Sequence, residues 1–176
     1  METSRLHLRR FKTDDWKALY TYLSDPDVVC FEPYSVFTQE ECRSEALRRT
    51  RDGDYWAVCF KESGELIGEI FLSSKGRNTW ELGFVFSRKH QGNGFALESA
   101  QALLDDLFSQ RSAARVVAVT RTENKKAQRV LERLGFVPGP IGYHDMQGLS
   151  ALTEKRLVTD TVLYAMDTGL WHQNHG

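Results

Sequence analysis

The stretch that decides the fold is SRKHQGNGFALESAQALLDDLFSQ, which occupies residues 87–110. It contains two glycines, Gly92 and Gly94, followed by a long run without glycine or proline. The residues before it, TWELGFVF (79–86), have the composition and alternation of a strand. After Phe95, apolar side chains recur at helical spacing. The sequence therefore predicts that the two glycines lie at the junction between a strand and a helix.

This junction has the properties of an anion site. A helix that begins directly after a strand presents free backbone N–H groups and the positive end of its dipole, which together bind anions. Glycine permits backbone angles that other residues resist and lets a bulky anion approach the main chain. The alternative is a tight turn that binds nothing. The candidate phosphate cradle consists of Gln91, Gly92, Asn93, Gly94, Phe95 and Ala96.

Two better-known phosphate-binding motifs do not match the cradle. In a dinucleotide-binding GxGxxG motif the third glycine would fall on Leu97, and the segment follows an antiparallel meander rather than a first strand. A Walker loop requires GK followed by Ser or Thr, and no such residues follow Gly94. What remains is the pattern Gln91-x-x-Gly94-x-Ala96 between a strand and a helix.

The chain around the cradle predicts an α/β fold. Before it, strands at 55–60, 66–74 and 79–87 are joined by short turns and should pair in antiparallel fashion. After it come a strand at 115–121 and a helix at about 125–134 that Gly135 should stop. The order predicts one mixed, mostly antiparallel sheet with helices on both faces, in a single domain that spans residues 1–176.

The outer parts of the chain are less regular. We expect a first strand within 5–11, a helix over about 13–23 and a second helix over about 39–51. The second helix should be opened by a capping box of Thr38 and Glu41. A last strand should lie within 157–166, whereas 139–156 is interpreted as an irregular connection and 167–176 as a short tail.

The overall composition narrows the class of protein. The chain has 176 residues, 41% of them hydrophobic, and a formal net charge of -1, so no global field favours nucleic acid or an anionic membrane. No segment approaches the ~18 apolar residues of a membrane span. The three cysteines lack CxxC spacing, and the two C-terminal histidines lack a third metal ligand. We therefore expect a cytoplasmic protein without a metal.

The cradle pattern resembles the acyl-CoA motif of the GNAT N-acetyltransferase superfamily, written [RQ]xxGx[GA]. A second stretch, ENKKAQRVLERLGFVP (123–138), resembles that family's other signature, in which an Asn opens a helix that ends in LGF. The two signatures are about one βα unit apart, as in the family. The resemblance covers essentially the whole chain. It is closest to the branch that acetylates ribosomal-protein N-termini, through segments such as ELGFVFSRKHQGNGFALE (81–98).

The resemblance implies how acetyl-CoA would bind as a co-substrate. The strand before the cradle and the strand at 115–121 would run parallel and splay apart, and the pantetheine arm would enter between them. The pyrophosphate would lie on the N–H groups of the cradle, and Asn124 would contact the pantetheine or the backbone of the cofactor. A backbone N–H at Val85 or Phe86 would hold the carbonyl oxygen of the reacting acetyl group.

Glu81 is the candidate general base. In TWELGFVF, Glu81 alternates with apolar residues along a strand, and a carboxylate there could take a proton from the acceptor amine directly or through water. The resemblance also implies a glutamate base at this strand position. The alternative for Glu81 is an ion-paired structural glutamate. Glu69, in LIGEIF, is the second candidate by the same alternation.

The general acid is where the sequence departs from the family pattern. Related enzymes often carry a serine three residues after the Asn, and this position holds Ala127. Tyr143 or Tyr164 could protonate the departing thiolate instead, although either tyrosine could equally be a packing residue. Solvent could also serve, because a thiol of pKa about 8.5 leaves readily.

Four functions follow from the sequence as hypotheses. The first is transfer of acetyl from acetyl-CoA to a primary amine, and an N-terminal α-amine of pKa about 7.7–8 is an easier acceptor than a lysine amine of about 10.4. The second is acetylation of a small molecule such as a polyamine, an amino acid or an antibiotic. Ala127 leaves open a third, a non-catalytic acyl-CoA-binding module, and the cradle alone a fourth, nucleotide binding. Family members are often homodimers, although nothing in the sequence marks an interface.

Overall fold

The computed structural model describes residues 1–142 and 160–175. Its strands are β1 (Leu6–Arg9), β2 (Tyr55–Phe60), β3 (Leu66–Ser74), β4 (Thr79–Phe86), β5 (Arg115–Arg121), β6 (Val137–Gly142) and β7 (Thr161–Asp167). Its helices are α1 (Trp16–Leu23), α2 (Pro26–Val29), α3 (Gln39–Thr50), α4 (Phe95–Gln110), α5 (Lys125–Arg133) and α6 (Thr168–His175). Within these ranges, no helix is both long and apolar enough to cross a membrane.

The seven strands form one sheet in the order β1-β2-β3-β4-β5-β7-β6. All neighbours pair in antiparallel fashion except β4 and β5, which are parallel. The predicted meander of β2, β3 and β4 is confirmed, as is the mixed, mostly antiparallel sheet. Helices cover both of its faces, as the sequence predicted.

The parallel pair separates after a short contact. β4 and β5 pair only from Thr79–Arg115 to Glu81–Val117, although β4 continues to Phe86 and β5 to Arg121. Residues 82–86 therefore have no partner on the β5 side and border an opening between the two strands. We call this opening the wedge, and it confirms the predicted splayed pair.

Two apolar cores lie on opposite faces of the sheet, and β4 contributes to both. Leu82 and Phe86 pack in the core formed with α4 and α5, whereas Val85 packs against the core formed with α1 and α3. The alternation predicted for this strand is therefore confirmed. The face that carries Val85, called the α1–α3 face below, also carries Glu81 and Glu69, because cross-strand partners such as Glu69–Val85 share a face.

Local sequence signals account for most helix ends. Thr38 and Glu41 form the predicted capping box. The Thr38 Oγ1 accepts a hydrogen bond from the Glu41 N–H at 3.2 Å, and the Glu41 Oε2 accepts one from the Thr38 N–H at 2.6 Å. Gly135 ends α5 in a left-handed conformation, with φ of 91°. These two boundaries are as predicted.

Two elements were missed by the sequence interpretation. The segment read as the start of an irregular connection contains β6, whose sequence VPGPIG is rich in proline and glycine but lies at the sheet edge, where missing donors are tolerated. The segment read as a tail contains α6. Its Trp171 stacks on Phe108 with ring centroids 5.1 Å apart, so tertiary packing stabilises a helix that lacks its own amphipathic pattern.

Candidate active site

The predicted cradle lies where β4 ends and α4 begins. Gly92 and Gly94 have φ of 79° and 81°, in the left-handed region where a side chain is strained, and Gly94 is the N-cap of α4. The Glu98 N–H donates to the Gly94 carbonyl at 2.9 Å. In the described part of the chain, the N–H groups of residues 92–97 have no acceptor. They are therefore available to an anion at the positive end of the α4 dipole.

Gln91 connects the two sides of the wedge. Its Nε2 donates to the Phe86 carbonyl at 3.0 Å, and its Oε1 accepts from Lys126 Nζ at 3.2 Å. The side chain therefore ties the end of β4 to the first turn of α5. It also holds a lysine cation beside the cradle, where it favours a bound anion.

Arg5 approaches the cradle from the N-terminal segment. Its guanidinium lies 4.4 Å from the centroid of the Phe95 ring and donates to the Asn93 carbonyl at 3.2 Å. It also pairs with Glu98 on the first turn of α4, at 2.6 Å. An open cleft of about 550 Å³ adjoins these groups and is lined also by Gly92 and Arg133. Two arginines and the free N–H groups thus converge on one opening.

Glu98 fixes the N-terminal segment to the cradle helix. It accepts hydrogen bonds from the Thr3 hydroxyl at 2.6 Å, the Arg5 N–H at 2.9 Å and the Ser4 hydroxyl at 3.0 Å. Burial opposes its ionisation, but these donors outweigh burial and lower the pKa of Glu98 to about 2. Glu98 therefore stays ionised, and it keeps Arg5 in place beside the cradle.

The directions of the β4 backbone groups decide which N–H faces the wedge. The Ser87 N–H donates to the Ile67 carbonyl at 2.9 Å, and the Val85 carbonyl faces Gly68 of β3. Because donors alternate along an antiparallel strand, the N–H of Val85 points to β3 and that of Phe86 points to the wedge. The Phe86 carbonyl also points to the wedge, since it accepts from Gln91 Nε2 on that side of the strand. Of the two candidate oxyanion donors, Phe86 is the one directed into the wedge.

Gly68 allows β4 to approach β3 closely at this point. A Cβ atom on Gly68 would lie 2.6 Å from the Val85 carbonyl oxygen and 2.5 Å from the Phe86 ring. The adjacent register of β2 and β3 is interrupted by an irregularity at Val58–Cys59. Irregular pairing beside a site re-aims the strand and its side chains.

Asn124 opens α5, as predicted. Its Oδ1 accepts the Ala127 N–H at 3.1 Å, which makes Asn124 the N-cap. The Asn124 Nδ2 makes no hydrogen bond to a described residue and is free to donate. Ala127 contributes only its backbone N–H here.

The two candidate bases are both buried on the α1–α3 face and both ion-paired. Glu81 is 6% exposed and lies 2.8 Å from Lys75 Nζ. Glu69 is 4% exposed, accepts from the Tyr22 hydroxyl at 2.6 Å and pairs with Arg49. Glu81 stands where β4 and β5 begin to separate, whereas Glu69 is opposite Val85, near the far end of the wedge.

Of the two candidate general acids, Tyr164 and Tyr143, the structure describes Tyr164. Tyr164 lies on the face covered by α5, where its hydroxyl donates to Glu132 at 3.0 Å. Burial, and then the Glu132 carboxylate, raises the pKa of Tyr164 to about 12, which makes it a weaker acid. Tyr143 lies outside the described residues.

Several residues of this site were not found from the sequence. Arg5 and Glu98 meet across 93 positions of the chain, and Lys126 meets Gln91 across 35 positions. Glu32 is the fourth. It lies between α2 and α3, in a proline- and aromatic-rich segment, and its side chain is partly buried. Burial, and then the Glu69 carboxylate, raises the pKa of Glu32 to about 8.

Comparison with known proteins agrees with this geometry. Residues 5–137 match the sequence model of the family described as "Acetyltransferase (GNAT) domain". The chain is 35% identical over 136 residues to the uncharacterized N-acetyltransferase YnaD of Bacillus subtilis, covering 76% of this chain and 80% of YnaD. It superimposes on the crystal structure of a GNAT-family acetyltransferase from Bacillus anthracis with a TM-score of 0.84 and 29% identity, covering 96% of this chain and 98% of the other.

Two more distant solved structures share the fold and differ in acceptor. One is a spermidine N-acetyltransferase from Vibrio cholerae in complex with CoA and spermine, with a TM-score of 0.76, 18% identity and coverage of 96% and 99%. The other is a ribosomal-protein-S5-alanine acetyltransferase from Vibrio fischeri, with a TM-score of 0.75, 21% identity and coverage of 97% and 97%. At these identities the likeness shows the fold alone.

Proposed function

This chain belongs to the GNAT family of N-acetyltransferases, and on that premise we propose that it acetylates the α-amine of a protein N-terminus. The acetyl group comes from acetyl-CoA, and the amine attacks it directly in a ternary complex. The observation that carries the proposal is the cradle: free N–H groups over residues 92–97, at the start of α4, beside the wedge between β4 and β5.

Each part of acetyl-CoA has a counterpart in this arrangement. The pyrophosphate would lie on the free N–H groups of the cradle, with Arg5 and Lys126 supplying positive charge. The pantetheine would enter the wedge, where Asn124 Nδ2 can donate to one of its amide oxygens. The Phe86 N–H would stabilise the negative charge that develops on the acetyl oxygen. The chain would thus hold the donor largely through backbone groups.

The acceptor amine must lose a proton to a general base, and the candidate bases are the carboxylates on the α1–α3 face. Glu81 is the base that the family resemblance implies. It is five residues from Phe86 in the extended strand β4, a separation of roughly 16 Å. Glu81 would therefore act through a chain of waters rather than by contact.

Two considerations support a protein N-terminus as the acceptor. An α-amine of pKa about 7.7–8 is partly neutral at pH 7, so it demands less of the base than an alkyl amine of about 10.4. The strand and cradle segments also resemble the branch that acetylates ribosomal proteins. A small-molecule amine is the second candidate, because a spermidine N-acetyltransferase is built on the same fold.

The deciding experiment is CoA release from acetyl-CoA with a panel of acceptors. The panel pairs a peptide that has a free N-terminus with the same peptide capped at its N-terminus and carrying an internal lysine, and adds spermidine. Release with the first peptide alone is the expected result. Release with spermidine alone supports the second candidate, and binding of acetyl-CoA without release would indicate a non-catalytic acyl-CoA-binding module.

We also propose that the protein works in the cytoplasm. Its three cysteines, Cys30, Cys42 and Cys59, form no disulfide, which suits a reducing compartment. Fractionation of the source cells with an antibody to the chain would test this. A homodimer stays a prediction, for which light scattering is the direct measurement.

A further inference from the structure

We propose that a cavity on the α1–α3 face, at the end of β4, binds an acidic side chain of the acceptor peptide through Lys17 and Ser87. The acidic residue would lie at the second or third position of that peptide. The inference rests on the proposed transfer to a protein N-terminus, and it names which N-termini the chain selects. Neither the cradle pattern nor the alternation of β4 indicates Lys17 or Ser87.

The cavity lies beside the place where the acetyl group would react. It has a volume of about 550 Å³ and is lined by α1, the start of β3 and the turn after β4. Ser87, in its lining, directly follows Phe86, so the two Cα atoms are about 3.8 Å apart. A peptide extends by at most ~3.6 Å per residue. The side chains next to an N-terminus at the end of β4 can therefore reach the cavity.

The Ser87 hydroxyl is a buried donor that the fold does not use. Ser87 is 7% exposed, and as the N-cap of the 3-10 turn Arg88–His90 it makes no capping hydrogen bond, although serine commonly does so. Its hydroxyl has no partner in 1–142 or 160–175. Within these ranges, the side-chain polar atom that is both sealed from solvent and unpaired is Arg121 Nε. The Ser87 hydroxyl therefore has access to the cavity and can donate to a ligand there.

Lys17 supplies an unpaired cation on the other wall. It is exposed in the first turn of α1, and its ammonium lies 6.0 Å from the centroid of the Trp16 ring. Among the residues that the structure describes, no carboxylate pairs with it. The helix dipole also disfavours a cation in a first turn. An anion in the cavity would offset both the lysine charge and the positive end of α1.

The carboxylates that line the cavity are already engaged. Asp25 Oδ1 accepts the Asp27 N–H at 3.0 Å, and Asp25 Oδ2 lies 3.2 Å from Arg88 Nε. Glu65 Oε1 accepts from Lys89 Nζ at 2.5 Å. A cationic ligand would have to displace these partners.

The groups left free in the cavity are thus an ammonium and a hydroxyl, and both can donate. Their chemical complement is a group that only accepts and carries negative charge, which describes an ionised carboxylate. Asp and Glu side chains have this form at pH 7. An acidic residue near the acceptor N-terminus therefore fits the cavity better than an amide or a basic residue.

The test compares four peptides that have free N-termini and differ only at the second or third residue, which is Glu or Gln. CoA release at saturating acetyl-CoA gives kcat and KM for each. The wild type should prefer Glu over Gln about fivefold at one of the two positions, as expected for an exposed ion pair. The preference should lie in KM, because the acidic side chain is bound away from the reacting atoms. It should shrink at 0.5 M salt.

Variants of the two donors separate this contact from a general effect of charge. In Lys17→Met the ratio of kcat/KM for the Glu and Gln peptides should fall to about one, and Lys17→Glu should prefer Lys over Gln at the same position. Ser87→Ala should roughly halve the preference without lowering the melting temperature, because its hydroxyl has no partner in the described chain. Lys12→Met removes the same charge from an exposed lysine outside the cavity and should keep the preference.

Two results would overturn the inference and leave N-terminal acetylation intact. One is a wild type that shows no preference for Glu at either position. The other is an equal loss of the preference in Lys12→Met and Lys17→Met, because overall charge would then be its cause. Failure of the proposed function looks different, since the wild type would release no CoA with any of the four peptides.

Discussion

The cradle and the part of the α1–α3 face near Glu69, which we take as the acceptor side, would bind their proposed ligands by different means. The cradle is nearly continuous in sequence, over residues 91–98, and offers backbone N–H groups at a helix start. The α1–α3 face near Glu69 is assembled from side chains on separate elements, with Tyr22 from α1, Arg49 from α3 and Glu69 from β3.

This difference determines how each region tolerates change. Backbone recognition depends on conformation, so the cradle needs glycine at two positions and is indifferent to many neighbouring side chains. A side-chain cluster depends on charge balance in a medium that solvates ions poorly, so each member of the cluster depends on the others. We expect substitutions in the cluster to lower mainly the free energy of unfolding, and substitutions in the cradle to weaken mainly the binding of acetyl-CoA.

The largest expected effect is on the acceptor side, in Arg49→Met. Arg49 is 4% exposed, and its removal leaves Glu45 and Glu69 with one fewer cation in a buried site. The free energy of unfolding should fall by about 3–5 kcal/mol, measured by urea denaturation. Arg43→Met is the matched control in the same helix. Its exposed pair with Glu40 should contribute under ~1 kcal/mol. Equal losses in the two variants would remove the distinction between the cluster and the surface.

For Gly94→Ala we expect a smaller loss of stability than for Arg49→Met, together with a larger rise in the KM for acetyl-CoA. Gly94 has φ of 81°, so the added side chain should cost about 1–2 kcal/mol of strain. The same strain arises in Gly76→Ala, where φ is also 81° and a Cβ meets nothing within 4 Å. Both variants should lose similar stability, but only Gly94→Ala should raise the KM for acetyl-CoA. A matching rise in Gly76→Ala would show that strain, and not the cradle, sets donor affinity.

The last comparison concerns the pH dependence of stability and sharpens the contrast for Glu32. The pKa of Glu32 is raised from 4.5 to about 8 by burial and by Glu69, so between these values the folded state holds a proton that the unfolded chain has released. Stability from this group is present below about pH 4.5 and is lost as pH rises to 8. The melting temperature of wild type relative to Glu32→Gln should therefore decline from pH 5 to pH 8.5. A constant difference across that range would contradict the raised pKa.

The same contrast explains what the sequence could predict. The cradle, the meander, the splayed strand pair and the Asn124 cap are each encoded by short-range patterns, and the structure places each of them as expected. Arg5 and Glu32 carry no such pattern. The environment of Arg5 depends on Asn93, 88 positions away, and the pKa of Glu32 depends on Glu69 in β3. Charge balance in a buried cluster is a property of the folded chain, and the local periodicity of the sequence does not reveal it.

β6 and α6 were missed for a related reason. Pro138 and Gly139 argue against a strand by composition, yet an edge strand needs partners on one side only. In α6 one stabilising contact is the stacked pair of Trp171 and Phe108, which are distant in sequence. Both elements are stabilised by contacts with distant parts of the chain, β6 by β7 and α6 by α4.

The Gln91 side chain has a thermodynamic consequence. Because it bonds to Phe86 on one side and Lys126 on the other, local opening at the end of β4 and fraying at the start of α5 should be coupled, although the two lie 35 or more positions apart. A ligand that orders one should slow amide exchange in the other. Binding of acetyl-CoA at the cradle would then slow amide exchange in α5 as well as in the cradle itself.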